Sequence, residues 1–146
     1  MNAPDRADAT STLAPTLRAY VDTLIPADET PPGSALGVDR ALLAKGVRRD
    51  YARLLELGLA WIDRAALAAH GQRFHLLGEA ARDAIVGRAA AADAGSLPRV
   101  FFVRTRADAF HHYYGQPASW RDLGAYAGPP QPRGFPDFAA PARAKR

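Results

Sequence analysis

The chain has 146 residues and a mass of 15.7 kDa, enough for one domain around one core and too little for two. It carries 19 basic and 15 acidic side chains for a net charge of +4, but four basic residues and a single acid, Asp137, lie from Arg133 onward. The basic excess therefore belongs to a short tail, which argues against a nucleic-acid binder, and the absence of cysteine excludes disulfides, thiolate metal sites and cysteine nucleophiles.

Residues 1–12 are polar and read as a loose arm. They lack both the basic and the apolar region of a signal peptide, and no apolar run in the chain is long enough for a transmembrane helix. A helix is expected from about Pro15, with Ser11 or Thr12 as its cap and Leu17, Tyr20, Val21, Leu24 and Ile25 at helical spacing. Pro26 ends it, and three prolines and two glycines make residues 26–37 a loop of fixed turns. A second helical region opens near Val38, and Gly46 either breaks it or lets it run on through 48–69.

There Tyr51, Leu54, Leu55, Gly58, Ile62, Ala65 and Ala66 form one stripe, and Leu57 and Trp61 add a second side. A helix apolar nearly all round is either central in its own core or shared with a partner. Gly71 is a stop signal, residues 79–93 form an Ala-rich helix, and a last helix spans about 97–114. Its expected core stripe is Val100, Val103, Ala107, Phe110 and Tyr114. A short helical turn at 118–123 precedes a proline-rich end that bars regular helix. The reading is an all-α bundle of four or five helices over 13–128, with an irregular Pro/Gly-rich N-terminal loop and an extended basic tail at 129–146.

Catalytic signatures are sparse. Asp108 and His112 stand i, i+4 on the last helix with His111 between them, which leaves a stand-alone metal-binding protein or enzyme as the alternative function. No Gly-x-Ser-x-Gly elbow, dinucleotide fingerprint or phosphate loop is present. The aromatics carry more. Trp120, Tyr126, Phe135 and Phe138 fall in the irregular C-terminal part, and each forgoes about 1.5–3 kcal/mol of burial if left in water. They fold back on the chain's own helices or dock on another protein, and a stiff proline-rich backbone favours docking. Leu57, Trp61, Trp120, Tyr126, Phe135 and Phe138 are thus the candidate partner-binding residues.

Four stretches together resemble one family. Leu24-Ile25-Pro26-Ala27-Asp28-Glu29-Thr30-Pro31-Pro32-Gly33-Ser34-Ala35 looks like the opening signature of gluconate 2-dehydrogenase subunit 3, with Gly37-Val38-Asp39 following at the expected place. His70-Gly71-Gln72-Arg73-Phe74 resembles that family's glycine turn. Phe101-Phe102 with Tyr113-Tyr114-Gly115, and Trp120-Arg121-Asp122-Leu123-Gly124 with Tyr126 and Gly128-Pro129, resemble its closing segments. The resemblance implies a non-catalytic small, or gamma, subunit with no cofactor of its own. It pairs with a large FAD-containing GMC-type sugar or polyol dehydrogenase, and a cytochrome c subunit carrying haem often accepts the electrons. It implies a role in folding and export of the flavoprotein, in a periplasmic or membrane-associated complex. Because the sequence shows no leader, a cytoplasmic location is the alternative. The motifs are not catalytic in the family, so no catalytic residue is carried over.

Overall fold

A computed structural model describes residues 3–120, with side chains from residue 12 onward. Among these residues there are five α-helices and no strand. They are α1 (Ala3–Leu24), α2 (Val38–Ala44), α3 (Arg49–His70), α4 (Glu79–Ala91) and α5 (Leu97–Tyr114), joined by single turns of 3₁₀ helix at Gly33–Leu36, Lys45–Val47 and Phe74–Leu76. A fourth such turn, Pro117–Trp120, follows α5 and supplies the described part of the short helix expected at 118–123.

The all-α expectation holds, and so do most of its punctuation marks. Pro26 lies just past α1, whose core face is Leu17, Tyr20 and Val21, with Ile25 beside it. Gly71 closes α3 in the left-handed region at φ 68°, returning its N–H to the Leu67 carbonyl at 2.9 Å. Gly46 does break the second helical region, leaving α2 only seven residues long. The expected start near Pro15 is corrected, because α1 begins at Ala3 and carries Pro15 inside it. A proline there forfeits one intrahelical bond, and its ring sits on the exposed side of the helix.

The core gathers around α3. Its Leu55, Leu59 and Ile62 are at most 4% exposed, and α1, α4 and α5 all pack against it. Gly58 sits where α3 meets α5. A Cβ at that position would run into the Phe101 ring, so only glycine lets the two helices come this close. The Phe101 ring in turn meets Tyr20 of α1 at 5.0 Å between centroids. The Tyr20 hydroxyl shares a 2.8 Å hydrogen bond with Thr105, whose Oγ1 lies 2.7 Å from the Phe101 carbonyl of its own helix. One aromatic pair and one satisfied polar pair thus tie α1, α3 and α5 at their common crossing.

Candidate interaction site: a pinned loop and the face beside it

The loop after α1 is built rather than slack. Gly33 donates its N–H to the Ile25 carbonyl at 3.0 Å, and a Cβ at Gly33 would come within 2.7 Å of Val21. The Asp22 carboxylate reaches across from α1 and accepts both the Ser34 N–H and the Ser34 hydroxyl, each at 2.8 Å. Asp28 closes its own turn by accepting the Thr30 N–H and hydroxyl at 2.7 Å, which holds its carboxyl below the usual aspartate range. From the far end of the chain, the Tyr113 hydroxyl donates to the Pro31 carbonyl at 2.6 Å and the Gln116 amide to the Leu36 carbonyl at 2.9 Å. Residues 26–29 remain exposed at the tip. The loop is therefore a rigid projection whose base is locked to α1 and α5. Beside it a shallow cleft of about 310 Å³ is lined by Asp22, Thr23, Pro26, Ala27, Pro32 and, from α4, Glu79, Arg82 and Asp83.

Two charge clusters, each centred on a largely buried aspartate, brace the frame. Asp63 of α3 is 7% exposed. It accepts the Thr16 hydroxyl at 3.0 Å, the Phe74 N–H at 3.1 Å and the Arg73 guanidinium at 2.7 Å. The glycine turn singled out in the sequence is thereby clamped to α1 and α3 at once. The second cluster links the 3₁₀ turn Lys45–Val47 to α5. Lys45 Nζ donates to Asp108 at 2.6 Å, Arg104 stands 3.5 Å from the other carboxylate oxygen, and both cations lie 5.7 Å from the Tyr51 ring centre. The Tyr51 hydroxyl lies beside Asp108 without a well-aligned hydrogen bond. Burial pushes the Asp108 carboxyl up, but Lys45, the Tyr51 hydroxyl and the Arg104 charge outweigh it and hold the group below its ordinary range. Burial pushes the His112 imidazole down, and the charges of Lys45 and His111 push it the same way.

These contacts correct the metal alternative. Asp108 is occupied by Lys45, and His111 points to solvent while His112 is half-buried. Among the described residues no group of three or more His, Asp or Glu side chains converges to hold a metal ion.

The six expected partner-binding residues divide three ways. Trp120 is only 8% exposed, in the turn that follows α5. Trp61 packs against the core, half-buried, with Arg88 of α4 at 5.9 Å from its ring centre. Leu57 is half-buried on the flank of α3. Tyr126, Phe135 and Phe138 lie outside the described residues, as does the tail at 129–146. The helix apolar nearly all round is thus largely central in its own core.

The last helix gives a second correction. Its buried face is Phe101, Thr105, Ala109 and Tyr113, and the expected stripe is the opposite one. Val100, Val103 and Tyr114 are 43%, 51% and 55% exposed. Sequence reasoning also passed over Asp22 and Asp63, and it gave Tyr113 no anchoring role. Their signal was faint, consisting of lone polar groups one turn away from apolar neighbours.

The fold and these contacts define a small helical scaffold that displays a fixed loop and an apolar helix face. The chain belongs to the gluconate 2-dehydrogenase subunit 3 family, whose model matches residues 13–128. That span takes in the pinned loop, all of α2 to α5 and the turn bearing Trp120. No curated protein and no solved structure matches the chain. Family membership makes it one subunit of a multi-subunit dehydrogenase, and no described helix is long and apolar enough to cross a membrane.

Proposed function

We propose that this chain is the accessory subunit that binds and stabilises a large FAD-dependent GMC-type dehydrogenase and assists its maturation or export. The observation that carries the reading is the family match over residues 13–128, which covers the helical body and its locked loop together. The flavin and the alcohol or sugar substrate would both belong to the large subunit, and a cytochrome c subunit would take the electrons. A complex of this kind would work in the periplasm or at the membrane surface. The rigid loop suits such a role, since a surface ordered before contact loses little entropy on docking.

Producing the large flavoprotein subunit with and without this chain tests the proposal. The paired expression should raise the yield of soluble, flavin-loaded large subunit at least severalfold. Equal yield and equal flavin content in both cultures would count against an assisting role.

A further inference from the structure

On the 100° helical wheel of α5, Val103, Ala107, Phe110 and Tyr114 fall within about 60° of one another, with Val100 at their edge. The row is exposed except for Phe110, which is half-buried. It is also ordered. The Arg106 guanidinium lies 4.8 Å from the centre of the Phe110 ring, and Phe110 meets Tyr114 edge-on at 6.0 Å. Arg99 and Arg106 border the row on one side, and Arg104 and His111 on the other. The single acid of the helix, Asp108, is turned toward the core and held by Lys45. The face is therefore apolar along its middle, with Arg99 and Arg106 as cations along one edge, and Arg104 on the other edge shared with the Asp108 carboxylate at 3.5 Å. Its arginine and tyrosine are the residue types that dominate binding energy at interfaces.

Charge decides among the occupants. A second copy docked by a two-fold axis would set arginine edges against arginine edges. The chain's own residues from Arg133 onward carry four basic groups against one acid and would meet the same repulsion. An anionic membrane suits the charge but not the shape, since α5 is fixed in the fold through Phe101, Thr105 and Tyr113 and shows lipid only a narrow row of valine, alanine and tyrosine. We infer that the outer face of α5, centred on Val103, Phe110 and Tyr114, docks on an acidic-rimmed apolar patch of the large subunit. The inference rests on the assembly reading above and names the surface that serves it. The row, from Val100 to Tyr114, is about 21 Å long and about 10 Å wide, on the order of 200 Å². That is less than the roughly 800 Å² each partner gives to a standard interface, so it forms the centre of a larger contact.

The test is binding of the full chain to the large flavoprotein subunit of the same organism, in three single variants. Val103→Glu and Arg106→Glu should each weaken binding about tenfold or more. Leu76→Glu, at a 62% exposed position outside α5, should bind as the parent does. All three positions are exposed, so each variant should keep its helical circular dichroism. Added salt should weaken the parent complex, and Arg106→Glu should lessen that dependence. If the parent binds and both α5 variants bind equally well, the assembly reading stands and the α5 surface is wrong. If the parent itself does not bind, the assembly reading falls and takes this inference with it. If the parent ignores the flavoprotein but binds phosphatidylglycerol vesicles, and Arg106→Glu abolishes that binding, the face is a membrane surface and the inference is overturned.

Discussion

Asp63 shows how much one buried carboxylate can organise when every lone pair is used. Thr16 of α1, the Phe74 N–H and Arg73 of the turn all donate to it from segments far apart in sequence. Asp63→Ala would leave the Phe74 N–H and the Thr16 hydroxyl buried without an acceptor, at a cost of about 2–4 kcal/mol. Urea titration should show the lowered midpoint, and a change below about 0.5 kcal/mol would mean that water replaces the carboxylate without loss. Acid should act through His112. His112 is held below its ordinary value of 6.5, so the unfolded chain takes up this proton at a higher pH than the folded one. Stability should fall as the pH drops below about 6.5, until the folded imidazole is protonated as well. Asp108 is lowered from 3.8, so its contribution is complete above that pH and is lost as the pH falls through its folded value. His112→Gln should remove the first of these losses and keep the second. Melting temperatures between pH 7 and pH 5 measure this, and an unchanged slope would show that His112 does not drive it.

At the level of elements, α5 explains both what the sequence disclosed and what it hid. An all-α bundle of four or five helices, most of its glycine and proline stops and the core face of α1 were legible, because apolar spacing and turn residues there agree on one answer. In α5 they do not agree. One face carries Val100, Val103, Phe110 and Tyr114, and the other offers only Phe101 and Tyr113 around a threonine and an alanine. Periodicity favours the first face. The fold buries the second, because Phe101 fits over Gly58 and Thr105 finds the Tyr20 hydroxyl, and neither partner lies within α5. Complementarity between distant segments is invisible to a pattern read along one segment. The same limit hid the loop's anchoring contacts through Asp22 and Tyr113. Gly58→Ala is the sharpest check on the α3–α5 crossing. The added methyl forces Phe101 away, which should cost about 1–3 kcal/mol or more and reduce the chain's cooperativity of unfolding. A variant as stable as the parent would show that the two helices can separate freely.

For the whole molecule, the pieces form one interior and one display. The interior uses Gly58, Phe101, Tyr20 and Asp63 to fix the helices, and the display is the locked loop and, separately, the outer row of α5. Tyr113 belongs to both, since its ring is buried in the core while its hydroxyl holds Pro31 of the loop. Membership in the gluconate 2-dehydrogenase subunit 3 family supplies the context in which such a display has a purpose. The most direct test of the central claim is the mass of what forms when this chain and the large flavoprotein subunit are expressed together and passed through size exclusion with light scattering. The expected result is a single flavin-coloured species whose mass includes at least one copy of this 15.7 kDa chain for each large subunit. Separate peaks, a colourless small protein and an unaccompanied, fully soluble flavoprotein, would contradict it.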